Sequence, residues 1–198
     1  MIKTSIARKQ QDLPTGHSDR LTSLRLSIQD DIFATVISVY APILQAETGV
    51  KEAFLRKLHN LLQQIDSKYK LLILGDFNAN VGRDFELWNG DVGRHGIGNC
   101  NDNGRLLLEF CSEHQHVIIN TLFQKKDLIK ATRRHPRSKH WHLLDYASTC
   151  QRDKRDILHT RMMPSEDCCT DRRLVRCTVA LTFKPPPERK GPQTKKPG

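Results

Sequence analysis

The stretch LLILGDFNANVG, residues 71–82, decides the fold. Its first four residues are wholly apolar, which is typical of a short strand buried on both faces. The strand would deliver Asp76 and Asn78 at its carboxyl end, where α/β folds often place functional groups. A carboxylate there can hold Mg²⁺ or orient a water, and a carboxamide can donate to a phosphate oxygen. The alternative is a strand followed by a plain Asx turn.

On the N-terminal side of this stretch the pattern predicts two strands and a helix. Apolar and polar residues alternate over residues 20–28, and residues 33–40 are rich in β-branched side chains, so both segments are expected to be strands. Residues 1–19 are polar and are expected to be irregular. Residues 48–66 predict a helix, because five apolar side chains fall on one stripe: Phe54, Leu58, Leu61, Leu62 and Ile65.

On the C-terminal side, a second helix and a series of strands are predicted. Residues 79–102 are rich in glycine and asparagine and indicate a long loop. The helix over residues 103–114 would be capped by Asn101 or Asp102 and would bury one side, formed by Leu106, Leu107, Phe110 and Cys111. Strand-like segments follow at residues 117–120, 128–133, 142–148, 157–163 and 174–183. This order of elements predicts an α/β sandwich with mixed sheets.

The chain has 198 residues, room for one domain, and a net charge of +10. Residues 184–198, rich in proline and lysine, hold +4 of that charge and are expected to be a disordered tail behind a domain at residues 20–183. The remaining excess favours DNA as a partner, with RNA as the alternative, although basic charge can also serve solubility alone. The chain has neither a secretory signal pattern nor an apolar run long enough for a membrane helix, which predicts an intracellular protein without membrane contact.

Two further aspartates extend the candidate site. Asp145 interrupts an apolar segment and needs a partner if it is buried, because an unpaired buried charge is costly. Asp171 directly precedes the last predicted strand. With Asp76 they would form a hard-cation site at strand ends. The alternative for each is an ordinary turn or edge position.

A basic cluster with one aromatic residue lies between residues 133 and 141. Arginine beside an aromatic side chain is typical of nucleic-acid-binding surfaces, and a solvated charged loop is the alternative. We predict nucleic-acid contact through Arg133, Arg134, Arg137, Lys139 and Trp141.

The spacing of cysteines and histidines does not indicate a metal centre. The six cysteines form no CxxC pair, and the neighbouring histidines at positions 114/116 and 140/142 have no matching cysteines. The sequence therefore predicts free thiols and surface histidines.

Five motifs in a fixed order resemble those of the endonuclease/exonuclease/phosphatase superfamily, most closely its LINE-type retrotransposon endonucleases. The similarity runs from about residue 13 to residue 181. Five motifs in the right order are far more specific than any one of them. They are SVYAP (38–42), GDFNA (75–79), NTLF (120–123), WHLLDY (141–146) and TDRRLV (170–175).

The resemblance implies a two-sheet α/β sandwich and Mg²⁺-assisted cleavage of a DNA phosphodiester, with Mn²⁺ as the alternative ion. It implies that Asp76 orients or deprotonates the attacking water and that Asn78 and Tyr40 contact the phosphate. Asp145 would help to place the leaving side of the site. Asp171 would orient a neighbouring group that stabilises the charged transition state, and Asp76 and Asp171 are the implied metal ligands. Charges and dipoles placed in this way usually carry most of the catalysis.

Two departures from the family pattern predict a weak or inactive enzyme. The family has a histidine where this chain has Arg172, and an arginine cannot give up a proton near neutral pH. The family also has a metal-binding glutamate on its opening strands, whereas the first glutamate here, Glu47, follows the SVYAP motif. The domain is therefore expected to be incomplete at its N-terminus.

We interpret the chain as a vestigial Mg²⁺-dependent DNA endonuclease domain of retrotransposon origin. Arg172 is retained as a catalytic candidate, because its guanidinium can still stabilise phosphate charge. The alternative is a non-catalytic relic that binds nucleic acid or protein, and a small-molecule phosphatase of the same superfamily is a third reading. Charge and family favour the nucleus over the cytoplasm, and the sequence assigns no oligomeric state.

Overall fold

The computed structural model describes residues 12–29, 32–88, 90–134, 141–163 and 173–181. The helices in these ranges are α1 (Thr48–Gln63), α2 (Asp102–Glu113) and three 3₁₀ helices at Ile119–Thr121, Asp127–Ile129 and Gln151–Asp156. The strands are β1 (Thr15–Ser18), β2 (Leu21–Gln29), β3 (Ile32–Tyr40), β4 (Lys70–Asp76), β5 (Val81–Gly82), β6 (Ile97–Cys100), β7 (His116–Ile118), β8 (Arg133–Arg134), β9 (Trp141–His142), β10 (Asp145–Cys150), β11 (Ile157–Met163) and β12 (Leu174–Val179).

Six strands form one mixed sheet in the order β1–β2–β3–β4–β10–β7. β3 and β4 are parallel and α1 is the crossover between them, whereas the other pairs in the sheet are antiparallel. The carboxyl ends of β3 and β4 therefore meet the amino end of β10 at one edge of the sheet. We call this edge the carboxyl edge. The sequence predicts the candidate site at this edge.

The core lies on both faces of the sheet, because side chains alternate along each strand. Leu71 and Ile73 of β4 are buried in the larger cluster, with apolar side chains of α1 and α2. Leu72 and Leu74 point the other way and pack in a smaller cluster with the β11–β12 hairpin. β4 is thus covered on both faces, as its four apolar residues predict, although the hairpin face is less completely buried.

The class of the fold is the predicted one, a mixed α/β architecture with a multi-stranded sheet and helices. In the described ranges the second layer of the sandwich is the two-stranded β11–β12 sheet. Within the same ranges, no helix has the length and apolar character needed to cross a lipid bilayer.

Several local expectations differ from the structure. The predicted surface histidines include His116, which is instead buried at 1% exposure. Residues 15–18 form the edge strand β1, so the N-terminal segment is not wholly irregular. Residues 128–133 are not a strand, since a 3₁₀ helix ends at Ile129 and only Arg133 pairs. The segment 142–148 is interrupted between β9 and β10, because Leu143 turns into the core. On α2, Leu108 is buried rather than Leu106.

Candidate active site

Three of the predicted site residues lie side by side at the carboxyl edge. In the register of the sheet, Tyr40 of β3 and Asp145 of β10 are the direct partners of Asp76 of β4, one on each side. Directly opposed residues in neighbouring strands project to the same face of a sheet. The topology therefore gathers a phenol and two carboxylates, drawn from 106 positions of sequence, into one row.

The row continues into a tight turn after β4. The Asp76 side chain is 6% exposed, and its Oδ1 accepts a hydrogen bond of 2.8 Å from the backbone N–H of Asn78. Asn78 has a positive φ of 46°, a conformation that asparagine tolerates better than most residues. The structure therefore contains the Asx turn that the sequence offers as the alternative to a functional pair. The turn also fixes the orientation of the Asp76 carboxylate.

Asn78 is held in place by its own amide. Its Nδ2 donates to the carbonyl oxygen of Ala41 at 2.9 Å, and its side chain is 8% exposed. The amide group carries two N–H hydrogens. One of them makes the bond to Ala41, and this bond also fixes the direction in which the other one points. The backbone N–H of Ala41 in turn donates to the carbonyl oxygen of Asp76 at 2.8 Å. The segment after β3 and the turn after β4 are therefore locked together.

Gly75 is required immediately before Asp76. Its φ is +149°, and a Cβ built there would lie 1.9 Å from the carbonyl oxygen of Val39. No side chain can be accommodated against a neighbouring backbone at that distance. The glycine of the GDFNA motif therefore allows β3 and β4 to approach closely where the candidate site begins.

Side chains at the start of α2 hydrogen-bond to the backbone of the turn after β4. Asn101 caps the helix by accepting from the backbone N–H of Gly104 at 2.8 Å, and the same Oδ1 accepts from the backbone N–H of Asn80 at 3.0 Å. Asn103, in the first turn, donates from Nδ2 to the carbonyl oxygens of Pro42 and Asn78, both at 3.0 Å. The helix therefore fixes the turn that carries Asn78.

Asp145 is positioned through its backbone. The buried hydroxyl of Thr132 accepts from the backbone N–H groups of Leu144 and Asp145, at 3.0 and 3.2 Å. Asn120 donates from Nδ2 to the carbonyl oxygen of Asp145 at 3.2 Å, and its Oδ1 accepts from the N–H of Ala147 at 2.8 Å. The NTLF motif thus acts here by aligning β10.

Tyr40 is the most exposed member of the row, at 47%. The guanidinium of Arg20 lies 5.5 Å from its ring centroid and donates to its carbonyl oxygen at 3.3 Å. A cation over the ring orients the phenol at the rim of the site. It lies beside Asp76 in the register of the sheet and is open to solvent.

The described part of the predicted basic cluster lies on two short antiparallel strands, β8 and β9. Arg133 and Arg134 of β8 pair with His142 and Trp141 of β9. The guanidinium of Arg173 stacks on the Trp141 ring, 3.6 Å from its centroid. A cleft of about 680 Å³ runs from Trp141 and Leu143 to Asn80, and so links this hairpin to the turn after β4.

Several predicted site residues fall outside the described residues. These are Asp171 and Arg172 of the candidate catalytic set and Arg137 and Lys139 of the basic cluster. The metal pair of Asp76 and Asp171 therefore stays a prediction. The nearest described neighbour, Arg173, donates from its backbone N–H to the carbonyl oxygen of Thr132 at 2.7 Å.

Sequence reasoning missed the residues that position the site. The sequence predicts Asn101 only as a possible helix cap and includes Asn120 and Tyr146 only as members of motifs, and it assigns no role to Asn103 or Thr132. Buried polar side chains of this kind bond to distant backbone groups, for example Asn103 to Pro42, 61 residues apart. A run of asparagines at a predicted helix start was the one local signal.

The chemistry of the donor set fits a hard divalent cation. The described groups at the carboxyl edge offer carboxylate and carboxamide oxygens from Asp76, Asp145 and Asn78. Oxygen ligands are those that Mg²⁺ and Mn²⁺ prefer.

Comparison with known sequences gives two kinds of match. The model of the family described as "Endonuclease-reverse transcriptase" matches residues 34–157, well over half of the chain. Craniofacial development protein 2 of Bos taurus is 36% identical over 168 residues, covering 84% of this chain and 28% of that protein. The Tragulus javanicus protein of the same name is 35% identical, with 84% and 29% covered. The chain thus spans less than a third of the length of these relatives.

Solved structures share the fold at low sequence identity. The endonuclease domain of TRAS1, a telomere-specific non-LTR retrotransposon, superposes with a TM-score of 0.57 at 16% identity, over 82% of this chain and 63% of that one. The 3′ phosphatase NExo from Neisseria, bound to product DNA hairpin, gives 0.59 at 16% identity, over 82% and 65%. The AP endonuclease LMAP from Leishmania major gives 0.60 at 15% identity, over 82% and 55%. All three share this chain's sheet architecture.

Proposed function

The chain belongs to the endonuclease-reverse transcriptase family, and from this premise we propose that it is a vestigial DNA endonuclease domain that depends on a divalent metal ion. The observation that carries the proposal is the row of Tyr40, Asp76 and Asp145, in register at the carboxyl edge, with Asn78 in the adjoining turn. Nucleases of this superfamily use divalent metal ions, and we propose Mg²⁺, with Mn²⁺ as a substitute.

Each group in the row has a chemical task in phosphodiester hydrolysis. Asp76, held by the backbone N–H of Asn78, orients the attacking water and accepts its proton. The amide of Asn78 and the hydroxyl of Tyr40 donate to the non-bridging phosphate oxygens. Asp145 and Asp171 complete the oxygen-rich side of the site. When bound by Asp76 and Asp171, the metal ion would neutralise charge on the phosphate.

Arg172 is the reason to propose a vestigial enzyme. The family has a histidine at this position, which can both donate a hydrogen bond and exchange a proton near neutral pH. An arginine keeps its proton and places its charge farther from the backbone. Loss of one group that stabilises the transition state commonly lowers the rate by about 10²–10³-fold.

Plasmid nicking with Arg172→His tests the proposal directly. We expect the wild-type chain to nick supercoiled plasmid in Mg²⁺ slowly or not at all, and the variant to be at least about 100-fold faster. The gain should disappear with EDTA or with Asp76→Asn, because both remove the metal-dependent step. Arg176→His, on exposed β12, is the matched control and should leave the rate unchanged.

Equal rates for wild type and Arg172→His, in folded protein, would contradict this account. A wild-type chain that nicks rapidly in Mg²⁺ would show a working nuclease in which Arg172 is a competent substitute.

The second candidate function is non-catalytic binding of nucleic acid. The stack of Arg173 on Trp141 beside Arg133 and Arg134 favours it, because aromatic and guanidinium faces bind bases and phosphates without any chemistry. DNA is the proposed ligand, with RNA as the alternative. Binding of this kind should survive Asp76→Asn and should be stronger for single strands if Trp141 stacks on bases. A nuclear location fits either function and is tested by imaging the tagged chain.

A further inference from the structure

The C-terminal ends of α1 and α2 bring together three side chains with metal-binding groups. His59 lies in the penultimate turn of α1, Glu113 is the last residue of α2, and His114 is its C-cap. α1 runs from the segment after β3 to the segment before β4, so its C-terminal end lies at the sheet edge opposite to the carboxyl edge. The cluster is therefore separate from Asp76 and does not depend on the proposed function.

The three donor atoms lie close enough together to share one ion. Nδ1 of His59 is 3.1 Å from Nε2 of His114 and 3.4 Å from Oε1 of Glu113. All three donor atoms lie within 4.8 Å of one another. Ligand atoms at about 2.0–2.1 Å from a tetrahedral Zn²⁺ are about 3.3 Å apart. Two of the three separations therefore already match the edges of such a tetrahedron.

We propose that His59, Glu113 and His114 form a zinc-binding site, with water as the fourth ligand. Two imidazole nitrogens and one carboxylate oxygen are a donor set that suits Zn²⁺, whereas Mg²⁺ prefers oxygen alone. The donors have room for an ion, because His59 and Glu113 are 37% and 62% exposed and can adjust their rotamers. The ion would join the C-terminal ends of α1 and α2.

Packing against two neighbouring rings fixes the position of the His114 ring. The ring lies against Phe110, with centroids 4.4 Å apart, and meets the His59 ring edge-on at 4.9 Å. Its backbone N–H also donates to the carbonyl oxygen of Phe110 at 3.1 Å. The C-terminal end of an α-helix carries partial negative charge, so the C-terminal ends of α1 and α2 favour a cation at this place. A pair of hydrogen-bonded imidazoles beside a carboxylate would give the same distances without an ion, so zinc affinity decides between the two.

The test is a zinc titration of the full chain against a competing chelating dye, with Mg²⁺ in excess to occupy oxygen-only sites. We expect one Zn²⁺ per chain, bound on the order of 100-fold more weakly after His59→Ala or His114→Ala, and at least about 10-fold more weakly after Glu113→Gln. His17→Ala, an exposed histidine on β1, should leave the affinity unchanged. Saturating Zn²⁺ should raise Tm by about 5 to 10 °C in wild type and in His17→Ala, and by clearly less in His59→Ala and His114→Ala.

Cobalt substitution identifies the ligands independently of affinity. We expect the visible bands of four-coordinate Co²⁺, without the near-ultraviolet charge-transfer band of a thiolate ligand. Zinc affinity that is unchanged by both His59→Ala and Glu113→Gln would overturn the proposal, and so would a thiolate band. Because His59 and Glu113 are partly exposed, these two variants should fold normally, which thermal melts in EDTA would verify.

Discussion

At the scale of single residues, the candidate site depends on buried polar groups that hold backbone in place. Tyr146 is an example: its hydroxyl donates to the carbonyl oxygen of Leu143 at 3.0 Å and accepts from the backbone N–H of Val81 at 3.3 Å. It therefore ties the segment before Asp145 to the segment after Asn78. Burial raises the pKa of this phenol, and the hydrogen bond from Val81 only partly offsets the effect.

Replacing Tyr146 with phenylalanine should have two separable effects on stability. At neutral pH the free energy of unfolding should fall by about 1–3 kcal/mol, because two buried backbone groups lose their partner. Above pH 10 the unfolded phenol of wild type loses its proton while the buried one keeps it. Wild type should therefore lose an extra ~1.4 kcal/mol per pH unit that the variant does not lose.

Urea denaturation at pH 7, 9 and 11 measures both effects. The difference between wild type and Tyr146→Phe should shrink between pH 9 and 11, and a constant difference would refute the argument. Tyr40→Phe, at an exposed position, is the matched control and should change stability at pH 7 by less than about 0.5 kcal/mol.

At the scale of elements, a buried ion cluster joins the start of β4 to the 3₁₀ helix after β10. Nζ of Lys70 lies 2.6 Å from Oδ1 of Asp153 and 2.8 Å from Oδ2 of Asp156, with all three side chains largely buried. Burial by itself lowers the pKa of Lys70, but the bonds to the two carboxylates more than offset it and raise the pKa. The cluster sets the position of β4 and β10, the two strands that carry the candidate aspartates.

Lys70→Met should therefore destabilise the chain by about 3–5 kcal/mol, because it leaves two buried carboxylates without their ammonium partner. The free energy of unfolding from urea titration measures the loss. Lys68→Met is the matched control, since Lys68 and Asp66 form an exposed pair, and it should have little effect. A loss as small as that of the control would mean that water replaces the ammonium group at this end of the sheet.

At the scale of the whole molecule, the charge and the cleft predict how DNA binding responds to salt. The basic hairpin of β8 and β9 lies at one end of the cleft, and the turn after β4 lies at the other. Contacts to phosphates release counterions, so the logarithm of the affinity falls linearly with the logarithm of the salt concentration.

Arg133→Ala and Arg134→Ala should each reduce the steepness of that dependence by about one unit if each contacts a phosphate. Trp141→Ala should weaken single-strand binding by about 1–3 kcal/mol at every salt concentration, because stacking releases no ions. Fluorescence anisotropy with labelled oligonucleotides measures both. Arg56→Ala, on the exposed side of α1, is the control, and an equal effect there would point to diffuse charge instead of a defined surface.

Local pattern predicted the main elements because each carries its own periodicity. The stripe from Phe54 to Leu62 identified α1, and the apolar run before Gly75 identified the central strand β4. Segments without such a pattern were predicted poorly. Residues 128–133 have strand-like composition, yet Lys130 turns inward, where its Nζ donates to the carbonyl oxygen of His95 at 2.6 Å. A contact across 35 residues thus overrides a weak local preference.

The sequence by itself determined the fold class and the family, because motifs and periodicity are local properties of the chain. It also predicted Tyr40, Asp76, Asn78 and Asp145 as candidate site residues. Only the tertiary structure decided that Tyr40 and Asp145 are the two register partners of Asp76. It alone brought His59 to His114 and Asn103 to Pro42, which lie 55 and 61 positions apart. The physical reason is that strand pairing and helix packing set which distant residues meet, and no spacing within the chain encodes those contacts.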